Sequence, residues 1–180
     1  MKKSIQIRCG KSLAACLMVS IFLCCQSCIP GLYTFTGTSF DPNIDSFFVF
    51  PFELEARSAP PTLAQNIEEA LKLKIRRESS LNQLDTDPDI EFQGKVTRFN
   101  VTPQAPEAGE AIGLNRLTIS VQIDYIDNYH DDEEYNWSQT FTRFEDFGAN
   151  DNLLNVQDGL IEVITEQLLE DIFNKAFSDW

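Results

Sequence analysis

Leu117-Thr118-Ile119-Ser120-Val121-Gln122-Ile123-Asp124-Tyr125 alternates without a break between apolar and polar side chains. Successive residues of a strand point to opposite faces, so this run predicts a strand with Leu117, Ile119, Val121, Ile123 and Tyr125 on one side and Thr118, Ser120, Gln122 and Asp124 on the other. Two neighbouring stretches share the period. Upstream, Ile90, Phe92, Gly94 and Val96 form an apolar face. The phase then slips so that Phe99 and Val101 continue it, which predicts a bulge near Thr97 and Arg98. Downstream, Tyr135, Trp137, Gln139 and Phe141 oppose Asn136, Ser138, Thr140 and Thr142. One apolar and one hydrophilic face is the pattern of an antiparallel meander covered on a single side. Pro103 to Gly113 reads as a long connection, and His130 to Glu134 as a solvated hairpin loop.

The cover comes from two helical stripes. After the break at Pro60-Pro61, Thr62-Leu63-Ala64-Gln65 fits a capping box, in which the Thr hydroxyl and the Gln amide each satisfy a free backbone N–H. Leu63, Ile67, Ala70, Leu71 and Ile75 then recur at spacings of three and four, one buried face of a helix. Near the end, Asn155 is the predicted cap of a helix that carries Leu160, Ile161, Ile164, Leu168, Ile172, Phe173 and Ala176 and ends near Trp180. Ser46-Phe47-Phe48-Val49-Phe50-Pro51-Phe52 is apolar on both faces and predicts a buried strand ended by Pro51. The order is β-α-β-β-β-α. This is an α+β chain, a two-layer sandwich with two helices on a four-stranded mixed sheet, the first two strands parallel through a helical crossover. The hydrophilic sheet face is left to water or to a partner.

The N-terminus differs in kind from this body. Lys2, Lys3, Arg8 and Lys11 precede an apolar run from Leu13 to Leu23, after which come Cys24, Cys25, Gln26, Ser27 and Cys28. A basic start and an apolar stretch well short of the roughly 20 residues needed to span a bilayer predict a signal peptide over 1–27. Ser27 before Cys28 points to lipoprotein processing, with Cys28 acylated; ordinary secretion and acylation at Cys24 or Cys25 are the competing readings. Residues 28–45, rich in Gly, Pro, Ser, Thr and Asn, read as the acylated Cys and a tether, and 46–180 as the folded domain. All five cysteines lie at or before Cys28, so the body has no disulfide framework.

The whole chain carries a formal charge of −14, and the part after residue 27 carries −18. Such a body repels phosphate backbones, which argues against nucleic acid as a partner. No catalytic or metal constellation stands out and no cofactor is expected. His130, the one histidine, sits beside four acids in a predicted loop. Asp85, Asp87 and Asp89 resemble the opening of a calcium loop, but Ile90 replaces the turn glycine and Val96 the bidentate acid. Lys95, Arg98, Arg116 and Arg143 are more distinctive, four cations on the three meander strands of an acidic body. Guanidinium forks match phosphate and carboxylate, so the four could share an anionic lipid headgroup, or each could pair with a nearby acid.

Tyr33-Thr34-Phe35-Thr36-Gly37 after the cysteine, Leu114-Asn115-Arg116-Leu117-Thr118-Ile119 at the centre, and Gln167-Leu168-Leu169-Glu170-Asp171-Ile172-Phe173-Asn174-Lys175-Ala176-Phe177 at the close resemble the LptE family of lipopolysaccharide-assembly lipoproteins. The resemblance runs over nearly all of residues 28–180. It implies a non-enzymatic outer-membrane subunit of the lipopolysaccharide translocon, anchored through a lipidated Cys28 and facing the periplasm. Its implied partner is an outer-membrane β-barrel, LptD-like, whose lumen it plugs and whose folding it assists. It further implies contact with lipopolysaccharide through basic residues on the sheet side, for which Arg98 and Arg116 are the candidates. The alternative is a free-standing periplasm-facing lipid-binding or chaperone lipoprotein that holds its ligand between helices and sheet.

Overall fold

The computed structural model describes residues 41, 43–105, 113–130 and 132–178. The signal peptide, Cys28, most of the tether and the middle of the Pro103 to Gly113 connection lie outside these residues.

The elements are β1 (Ser46–Val49), β2 (Glu53–Leu54), α1 (Leu63–Glu78), β3 (Asn82–Gln83), β4 (Ile90–Gln104), β5 (Leu114–Asp127), a short 3-10 turn (Glu133–Tyr135), β6 (Trp137–Gly148) and α2 (Leu153–Phe177). The class is α+β with two helices against a mixed sheet. The sheet has six strands rather than four, in the order β3-β1-β4-β5-β6, with β2 also paired to β4. The two additions are two-residue strands, β2 and β3, which run parallel to β4 and β1. β1 is parallel to β4, while β4, β5 and β6 form the antiparallel meander.

The expected single strand over 46–52 is broken. β1 stops at Val49; Phe50 is exposed, and Pro51 lacks the N–H a ladder needs. Phe47 and Val49 enter the core, whereas Phe48 and Phe50 meet edge to face at 4.9 Å on the other side. The chain then rejoins β4 through β2, and the Val96 carbonyl accepts the N–H groups of both Glu55 and Ala56. That doubled acceptor sits beside the expected bulge, where the β4–β5 register shifts between Val96 and Arg98.

Both helix starts differ from expectation. Thr62 is already helical in φ and ψ and its hydroxyl makes no cap; a turn from Pro60, whose carbonyl accepts Leu63 N–H, leads into α1 instead. The cap of α2 is Asn152, three residues before Asn155, its Oδ1 accepting Leu154 N–H at 3.0 Å. Leu63, Ala64, Ile67, Leu71 and Ile75 of α1 and Leu160, Ile164, Leu168, Ile172, Phe173 and Ala176 of α2 are buried against Phe47, Phe92, Val96, Leu117, Ile119, Val121 and Ile123. Each fully buried aliphatic or aromatic side chain contributes about 1.5–3 kcal/mol, so this layer dominates the stability. Among the described residues no helix is long and apolar enough to cross a membrane.

Asp89 is a staple rather than a cation ligand. Its Oδ2 accepts Asp45 N–H, Ser46 N–H and Ser46 Oγ–H at 2.7–2.9 Å and fixes the start of β1 on β4. These bonds hold its carboxyl below the ordinary range despite partial burial.

Candidate functional site

The outer face of the meander, away from the helices, is the candidate surface. Register places Lys95 opposite Gln122, Arg98 opposite Ser120, and Arg116 between Thr102 and Asp146. All three cations therefore stand on the hydrophilic face. Arg143 does not: it pairs in register with Ile119, on the helix side, and its Nε and Nη2 donate to Asp171 of α2 at 2.5 Å each. The four-cation patch is thus three cations, with Arg143 serving as a brace between β6 and α2.

Hydroxyls and amides join β5 and β6 across this face. Ser120 and Thr142 share a hydrogen bond of 2.9 Å across the β5–β6 step. Gln122 Nε2 donates to Asp124 at 3.2 Å and to Ser138 at 3.3 Å, and Ser138 Oγ donates to Asp124. Each side chain has a partner; Ser120 is buried, whereas Thr142 and Ser138 remain exposed, where water or another polar chain can exchange with them.

The cations differ in their commitments. Arg116 Nε and Nη2 donate to the two Asp146 oxygens at 2.7 and 2.8 Å, a fork-to-fork pair. The same guanidinium lies 3.7 Å from the ring centroid of Phe144, which is 46% exposed. The bonds to Asp146 hold Arg116 above its usual pKa and Asp146 below the usual carboxylate range. Lys95 stands 3.9 Å from Glu53 of β2, a loose surface pair. Among the described residues Arg98 has no acid within ion-pair distance. Arg98 and Arg116 lie four residues apart in register, roughly 13 Å along the strand.

Sequence reasoning missed Phe144 and Asp146. Both belong to the even-numbered, outward set of β6, a continuation of the Ser138, Thr140, Thr142 alternation that could have placed them. It also missed the environment of His130. That ring is no solvated loop group: Nδ1 lies 3.0 Å from Asp127 Oδ2, Nε2 lies 3.5 Å from Asp41 Oδ2, and the ring stacks on Tyr135 at 4.1 Å. The hydrogen bond to Asp127, then the charges of Asp127 and Asp41, raise the imidazole pKa above its ordinary value. Asp127 also accepts the N–H groups of Tyr129 and His130, so the cluster closes the β5–β6 turn. These contacts clamp Asp41 to the end of β5. Among the described residues no three His, Cys, Asp or Glu side chains are placed to hold a metal.

A family model described as LptE, Lipopolysaccharide-assembly, matches residues 45–176. The chain belongs to the LptE family. No curated protein matches it. Among solved structures, it is similar to a minor lipoprotein from Acinetobacter baumannii, with 12% identity and a TM-score of 0.47 over 72% of this chain and 91% of that one. It is also similar to a hypothetical protein from Chlamydia trachomatis, at 7% identity and a TM-score of 0.47 over 73% and 94% of the two chains. A third is the PelC dodecamer from Paraburkholderia phytofirmans, at 12% identity and a TM-score of 0.46 over 74% and 89%. The LptE assignment covers β1 through nearly all of α2, including every strand of the candidate surface.

Proposed function

We propose that this LptE-family protein is an acyl-anchored outer-membrane subunit of the lipopolysaccharide-assembly machinery, with no catalytic turnover. It docks the outer face of β4, β5 and β6 inside the lumen of an LptD-like β-barrel. The observation that carries this reading is the outer face itself, a hydroxyl and amide ladder backed by a sealed apolar core. Barrel interiors are polar and wet, so a plug is held by a hydrogen-bonding surface rather than a greasy one.

Acylation at Cys28 belongs to the same proposal. At about 0.8 kcal/mol per buried methylene, two or three acyl chains hold the molecule on the bilayer that contains the barrel. Capture of the partner then becomes nearly intramolecular. On the docked face, Arg98, which has no acid within ion-pair distance among the described residues, and the Arg116 guanidinium above Phe144 offer charge and an aromatic edge to an anionic lipid headgroup in transit.

Affinity purification from detergent-solubilised outer membranes tests the docking. A barrel protein recovered in equal amount is the expected result, and recovery of the lipoprotein alone overturns it. Labelling with a palmitate analogue, lost in Cys28→Ser, tests the anchor. For the lipid contact, Arg98→Ala combined with Arg116→Ala weakens lipopolysaccharide binding while the fold is kept. Unchanged binding removes these residues from the lipid path.

A further inference from the structure

On the side turned away from the sheet, α1 and α2 leave a groove of about 600 Å³ between them. Its floor is apolar, formed by Leu63, Ala70, Leu73, Ile161 and Leu169. Leu73 is 48% exposed there. One end is closed by Lys74, whose ammonium lies 2.7 Å from Glu170 and 2.9 Å from Glu78 and 5.1 Å from the Phe173 ring centroid.

The α2 wall has one sign. Asp158, Glu162 and Glu166 recur every fourth residue, on successive turns of one helix face, and continue into Glu170. Glu170 is neutralised by Lys74, but among the described residues no cation lies within ion-pair distance of the other three. Like charges at this spacing each oppose the helix by about 0.2–0.5 kcal/mol. A helix face whose only task is to meet water mixes its signs. Here an unrelieved acidic rail runs along an apolar trough.

We infer that this groove seats a basic amphipathic helix of a partner protein, its apolar side on the Leu63 to Leu169 floor and its Lys or Arg side chains along the Asp158, Glu162, Glu166 rail. Charge selects the occupant. On the α2 wall a second copy would set one acidic rail against another, and an anionic lipid headgroup meets the same repulsion; the α1 wall adds Lys74 and Arg77, which pair with Glu170 and Glu78. A guest helix with cations at every fourth position matches the rail turn for turn. The groove lies on the opposite side of the molecule from the outer sheet face, so the inference requires that the helix side stay accessible when that face meets a barrel.

The test uses the full-length protein purified in detergent and a fluorescent amphipathic helical peptide of leucine and lysine, with a twin in which glutamate replaces lysine. The rail variant combines Asp158→Asn, Glu162→Gln and Glu166→Gln. A control with Asp132→Asn, Glu133→Gln and Glu134→Gln removes the same charge from the β5–β6 turn. The lysine peptide binds the wild type one to one and the glutamate peptide does not. The rail variant weakens binding by about tenfold or more, and the control by less than about twofold. Leu73→Gln, at a half-exposed position, weakens binding separately and reports on the floor. Equal weakening by rail and control variants, absence of peptide binding, self-association that the rail variant abolishes, or rail-dependent binding of phosphatidylglycerol vesicles in place of the peptide would each overturn the inference.

Discussion

Gly94 of β4 faces the ring of Phe52, and that ring occupies the volume a β-carbon on residue 94 would need. Phe52 is only 8% exposed, and its N–H donates to Glu68 Oε2 of α1 at 3.3 Å, so neither ring nor backbone is free to retreat. Gly94→Ala therefore overpacks this contact and lowers stability by about 1–3 kcal/mol. The urea midpoint falls without a change in slope, and adding Phe52→Leu restores part of the loss. A midpoint unmoved by Gly94→Ala would contradict the ring position.

His130 ties the first described residue of the body, Asp41, to the end of β5. Because its folded pKa is raised above the ordinary 6.5, mainly by Asp127, protonated His130 stabilises the fold. That contribution is fully present below the unfolded value, about pH 6.5, and fades as pH rises through the higher folded value. Comparing wild type with His130→Gln by denaturation across pH shows the largest gap under mildly acidic conditions. The gap closes in alkali. A gap that widens with pH would reverse the assignment.

Arg116 is partly exposed and screened by solvent, so its pair with Asp146 contributes little to stability. Arg116→Ala is expected to move the melting temperature only slightly while removing the cation above Phe144. Arg116→Lys keeps the charge and loses the planar fork and the ring stacking. If Arg116 contacts lipid, the lysine variant falls between wild type and alanine in lipopolysaccharide binding at equal stability.

Tyr125 is buried between Phe92 and Trp137, with the Trp137 ring stacked at 5.2 Å and an interplanar angle of 3°. Among the described residues its hydroxyl has no hydrogen-bond partner, and burial drives its pKa far up. Tyr125→Phe removes a buried unsatisfied group, retains the packing and raises stability by about 1 kcal/mol. Loss of stability in this variant would show that the hydroxyl does have a partner.

The meander was legible because burial on one side forces a period of two. Its bulge was legible because Phe99 resumes that period out of phase with Val96. β2 and β3 were not, since two residues carry no period and owe their pairing to neighbours. Thr62 and Asn155 show how little a cap motif says when a preceding turn or an earlier Asn sets the helix start. On the candidate face, alternation was enough to orient Arg116. It also held the correction for Arg143, which shares parity with the buried Phe141. The Arg116–Asp146 pair and the Asp41–His130 contact join residues 30 and 89 positions apart in sequence, and only the folded register brings them together.

β6 lies at the rim of the sheet, and its twelve residues contain no proline to deter a newcomer. Arg143 and Asp146, which could act as guards, are already engaged with Asp171 and Arg116. Among the described residues no strand pairs with its outer edge, the arrangement that lets an extended chain add to a sheet. A sheet border of this kind favours a companion chain laid alongside it, and the strong negative charge of the body opposes a second copy in that place.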